Sequence, residues 1–64
     1  MRGVSELRAE ARAKRKIADV ARRVGPIASS TRDRDLLLQH ALELEAEAAG
    51  LEAQATALQQ ARSN

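Results

Sequence analysis

The sequence predicts an all-α fold, an antiparallel helical hairpin that dimerises into a four-helix bundle. Three observations predict it. Leu37, Leu44, Leu51 and Leu58 recur every seven residues with Ala41, Ala48 and Ala55 in the gaps, Gly25-Pro26 interrupts an otherwise helix-forming chain, and no aromatic side chain occurs among the 64 residues. Apolar residues at alternating four- and three-residue steps keep one stripe of a long helix against a partner helix.

Helix 1 is expected over about residues 5–24. No Gly or Pro occurs between Ser5 and Val24, Gly25 suits the left-handed position that follows a helix end, and Pro26 prevents continuation. The connection is expected at 25–30 and helix 2 at about 31–62, opened by Ser30 and Asp33 in the spacing of a capping box. Asp33 and Asp35 also suit the positive end of helix 2. Gly50 is the one soft point, costing about 1 kcal/mol against Ala in a helix interior. A connection this short makes the helices antiparallel neighbours within a single domain spanning 1–64.

The helical wheel of helix 1 gathers Ala9, Ala13, Ile17, Val20, Ala21 and Val24, and Leu7, Ala11 and Ala18 widen that apolar sector. At 1.5 Å per residue the helices measure roughly 30 Å and 46 Å, so the last turns of helix 2, with Ala55 and Leu58, are expected to outrun helix 1. A second copy of the chain would cover that overhang. The expected self-association seam is therefore Leu37, Ala41, Leu44, Ala48, Leu51, Ala55 and Leu58. Leu36, Leu38 and Leu42 are expected to cap the loop end of the core against Ile27, while Ala46, Gly50, Ala53 and Ala57 form a small-residue stripe on the far side of helix 2.

Charge divides by half. Residues 1–32 carry nine Lys or Arg against three acids, a net of +6, and residues 33–64 carry two against six, a net of −4. One face of helix 1 collects Arg8, Arg12, Arg15, Lys16, Arg22 and Arg23, with Asp19 the lone acid among them. Three readings fit such a face. Glu43, Glu45, Glu47 and Glu52 of helix 2 can pair with it, the arginine rows can contact phosphates of a nucleic acid without reading bases, or the face can meet an acidic protein or an anionic membrane surface, the last disfavoured by the lack of Trp and Phe.

Catalysis is not expected. His40 is the only His, and neither Cys nor Tyr is present, so a nucleophile with its base and orienting group would have to come from scattered Ser, Thr and carboxylates, and no such set stands out. His40 and Glu43 lack the further ligands that a metal centre needs. No metal, cofactor or Gly-rich phosphate loop is expected. The longest run of large apolar residues, Leu36-Leu37-Leu38, is far too short to cross a bilayer. Met1-Arg2-Gly3 leads straight into charged helical sequence, so no leader is expected and the cytoplasm is the default location.

The stretch Asp33-Arg34, Leu36-Leu37-Leu38, Ala41, Leu44-Glu45 and Ala48 resembles a motif of small bacterial helical-hairpin proteins of unknown function, which often carry an aromatic at the position of Leu44. The Ala- and Arg-rich, Lys-poor composition fits such an origin. In overall plan the chain is also similar to Rop, an RNA-binding hairpin that dimerises into a four-helix bundle, although the RNA-stacking aromatic of that protein has no counterpart here. These resemblances imply a fold and no activity. The functional expectation is a self-associating module, most simply a homodimer, that also contacts another protein. The alternative is a nucleic-acid-binding regulator using the basic face of helix 1.

Overall fold

The computed structural model describes residues 2–63. Two long helices run antiparallel, α1 over Val4–Val24 and α2 over Thr31–Ser63, joined through a single 3₁₀ turn at Gly25–Ile27. Among the described residues there is no strand, and the principal-axis extents of 52 × 16 × 13 Å are those of a rod two helices thick.

Each boundary has a local cause. Gly25 stays right-handed, at φ −47° and ψ −52°, instead of taking the left-handed conformation expected of it. The chain tightens from α to 3₁₀ geometry with Pro26 inside that turn, where a missing N–H costs least. Ala28 then turns extended and releases the chain. Ser30 starts α2: its Oγ accepts the Asp33 N–H at 3.1 Å and its carbonyl accepts the Arg34 N–H at 3.1 Å. That is the Ser half of the expected capping box. From there α2 runs without interruption through Gly50 to Ser63.

The core is built of small side chains. Leu7, Ala11, Ala18 and Ala21 of α1 are buried against Ala41, Leu44, Ala48 and Ala55 of α2, with Leu37 packed at the edge. On α1 the inward positions run Val4, Leu7, Ala11, Lys14, Ala18, Ala21 and Gly25, a continuous alternation of three- and four-residue steps in which every member is buried or half-buried. Alanine and glycine at most of these steps let the two backbones approach closely, which larger side chains would prevent. Lys14 is the exception. Its stem fills a core position while its ammonium reaches Glu47 at 3.2 Å.

Three expectations fail here. Ala55 is fully buried and Arg8 bonds Gln59, so α1 covers α2 almost to its last turn and the tail of α2 does not overhang. The length mismatch is absorbed at the other end, where the first turns of α2 flank the 3₁₀ turn and Arg34 lies beside Gly25. The apolar sector of α1 is also turned differently from the wheel. Ala9, Ala13, Ile17, Val20 and Val24 face outward, and of the central cluster only Ala21, with the widening residues Leu7, Ala11 and Ala18, packs on α2. Leu36, Leu38, Leu42 and Ile27 likewise lie exposed instead of capping the core, because the turn continues along the line of α1 and leaves Leu37 alone pointing inward.

Replacing Gly50, whose added Cβ would meet nothing within 4 Å, by Ala is expected to raise unfolding free energy by about 0.5–1 kcal/mol, read from urea or thermal denaturation. Ala48→Leu, which forces a large side chain into the close contact, is expected to cost about 1–3 kcal/mol, while Ala46→Leu on the exposed side leaves stability nearly unchanged.

Candidate functional site

The two flanks of the hairpin differ in what they present. On one, Arg22 donates from Nε and Nη2 to both carboxylate oxygens of Glu45 at 2.8 and 2.6 Å. Arg15 grips Glu52 in the same way at 2.9 and 2.6 Å, and Arg8 donates to Gln59 Oε1 at 2.6 Å. Partners step forward by seven residues on α1 and back by seven on α2. This ladder locks one antiparallel register, because paired Arg–carboxylate forks tolerate little sliding. Hydrogen bonding from Arg22 and Arg15, reinforced by their charge, holds the Glu45 and Glu52 carboxyls below the usual carboxylate range against a smaller opposing effect of desolvation.

Of the six basic residues expected to contact anions, Arg8, Arg15 and Arg22 are thus engaged by α2. Arg12, Lys16 and Arg23 lie further round α1, exposed and with no ion pair among the described residues. Glu45, Glu47 and Glu52 pair across the hairpin as expected of them, whereas Glu43 stays exposed without an ion pair. Arg2 pairs with Glu10 within the start of the chain.

Of the seven residues expected to meet a second copy, six lie against α1 within the hairpin. Ala41, Leu44, Ala48 and Ala55 are buried in the hairpin, Leu37 and Leu51 are half-buried there, and Leu58 sits exposed at its margin. The small-residue stripe of Ala46, Gly50, Ala53 and Ala57 is exposed, and so is His40.

What remains open is a second apolar seam that the wheel merged with the first. Ala13, Ile17, Val20, Val24 and Ile27 follow their own alternation of four- and three-residue steps on the outward side of α1 and its turn. Ile17 and Val20 are each 52% exposed, Val24 40% and Ile27 81%. The signal was present as side-chain size, since every β-branched aliphatic residue of α1 and the turn except Val4 belongs to this seam. By helical spacing Ile17 and Val24 lie on the flank that carries Lys14 and Glu47, so the seam is bordered there by the acidic side of α2, Glu43 and Glu47. Its opposite border is Lys16 and Arg23 of α1 itself.

Elsewhere the surface offers an open hollow of about 390 Å³ at the loop, lined by Ala21, Arg22, Gly25, Pro26, Arg34 and Leu38. Among the described residues no group of three or more His, Asp or Glu is placed to hold a metal ion, and no helix is long and apolar enough to cross a membrane. Comparison with protein-family models, with curated proteins and with solved structures finds no match to this chain.

Because the Glu45 and Glu52 carboxyls are held low, the stability they add is fully present above their unfolded values, near 4.5, and is lost as pH falls through the folded ones. The thermal midpoint followed by circular dichroism is expected to drop between about pH 5 and pH 3, and to drop less in the Glu45→Gln, Glu52→Gln double variant.

Proposed function

We propose that this chain works by protein–protein association rather than by catalysis, as a self-associating helical module whose contact face is the outward seam of Ile17, Val20, Val24 and Ile27. The observation that carries this reading is the distribution of side-chain size. The hairpin interior uses mainly alanine, while the large β-branched residues of α1 and the turn stand in solvent. Fully burying an exposed side chain of this kind stabilises by about 1.5–3 kcal/mol, and the portion of Ile17, Val20 and Val24 still exposed leaves about half of that to be gained. Association supplies that burial.

Nucleic-acid binding by the basic face is the weaker alternative. Half of that face is held by Glu45, Glu52 and Gln59, and the free half, Arg12, Lys16 and Arg23, shares its surroundings with exposed Ile and Val.

Sedimentation over a concentration series is expected to show reversible association of the wild-type chain, and Val20→Glu is expected to shift it to monomer without loss of helix content. A helical wild-type chain that stays monomeric at millimolar concentration would overturn the proposal. Salt-steep binding to generic duplex DNA or RNA by that monomer would favour the alternative.

A further inference from the structure

Resting on the association reading above, we infer that the occupant of the outward seam is a second copy of this chain, packed α1 against α1 with both hairpins pointing the same way. The argument is one of charge at the borders. Along one border of the seam run Lys16 and Arg23, and along the other run Glu43 and Glu47 of α2, of which Glu47 already takes the Lys14 ammonium at 3.2 Å and Glu43 has no ion pair among the described residues. Residues beside an apolar helical seam set both the choice of partner and its orientation.

Two arrangements bring a seam onto its own copy with two-fold symmetry. With the axis across the helices the copies are antiparallel, basic border meets basic border, and acidic meets acidic. With the axis along the helices the copies are parallel and every basic border faces an acidic one. The levels also agree to within about one helical turn, because the register set by Arg15–Glu52 puts Lys16 opposite Leu51, one turn from Glu47, and that set by Arg22–Glu45 puts Arg23 opposite Leu44, next to Glu43. Parallel packing then stacks Ile17 on Ile17, Val20 on Val20 and Val24 on Val24 of the partner, like residue on like.

The acidic border also selects against other occupants. An anionic bilayer or a nucleic acid lying on the seam would be drawn to Lys16 and Arg23 but would meet Glu43 and Glu47 at once. A second copy satisfies both. The central pair is then α1 with α1, and each α2 lies outside it, bridging to the partner through its acidic side.

The chain has no Cys, so Ser5→Cys, an exposed position in the first turn of α1, gives a single spin-label site on the full-length protein. Parallel packing is expected to bring the two labels within about 25 Å. Antiparallel packing centred on Val20 would separate them by about 45 Å, at 1.5 Å per residue. Lys16→Glu with Arg23→Glu on one chain, and Glu43→Lys with Glu47→Lys on another, are each expected to weaken self-association on the order of tenfold, and an equimolar mixture is expected to recover it. Circular dichroism confirms that each variant remains helical before it is scored. Labels about 45 Å apart, or reversed variants that associate as well as wild type, would overturn the parallel dimer while leaving the association reading intact. A labelled chain that sediments as a monomer, with or without binding to vesicles of phosphatidylcholine and phosphatidylglycerol, would overturn both.

Discussion

The close contact of alanines between α1 and α2 is the constraint on which the rest of this structure depends. Ala11, Ala18 and Ala21 on one helix and Ala41, Ala48 and Ala55 on the other leave little side chain between the backbones, so the helices touch along nearly their whole length. Contact of this kind favours dispersion and excludes water, yet each alanine removes little apolar area. It also consumes the narrow inner stripe of α1 and leaves no room there for Ile17, Val20 or Val24. A tight interior and a sticky exterior have the same cause.

Electrostatics fixes what the alanines leave free. Small uniform side chains can slide or rotate past one another, since one alanine fits another's place. The forks of Arg15 on Glu52 and Arg22 on Glu45, with Arg8 on Gln59, forbid both motions by recurring at the heptad step on one flank. Each pair is exposed and weak by itself. Their value is in specificity: only one rotation of α1 satisfies all three while Lys14 reaches Glu47 on the other flank. A lysine within a seam is a known way to trade stability for register.

Much of this was readable from the chain, and the part that was not has a definite reason. Pro26 and Ser30 marked the ends of the helices because the missing N–H of proline and the capping hydroxyl of serine act locally, within one turn. The Leu/Ala repeat of α2 identified its inner stripe, and the opposite charges of the two halves anticipated Glu45 and Glu52 as partners of helix 1. The rotation of α1 escaped the wheel because its apolar sector is nearly twice as wide as the contact, and alanine counts as apolar without saying which neighbour it prefers. Side-chain volume would have separated the two stripes: the inner one is alanine and the outer one is isoleucine and valine. The expected overhang is absent because helix lengths alone leave out the turn, which carries α1 onward beside the first turns of α2.

Separating small from large apolar residues gives a hairpin two unequal tasks for one helix. The alanine side of α1 can mate only with a surface as smooth as itself, and α2 provides one within the same chain, so that contact carries no dependence on concentration. The Ile/Val side presents knobs that need matching holes, and α2, whose flank facing that seam is acidic, does not provide them. Under the association proposed above a partner covers that seam, and its occupancy then depends on protein concentration in a way that the inner contact does not. The paired basic residues belong to the first task, and of the exposed α1 cations without an ion pair among the described residues, Lys16 and Arg23 border the second seam. The division of charge therefore follows the division of size, and two independent properties of the side chains mark the same boundary between what folds the monomer and what is available to join it to another molecule.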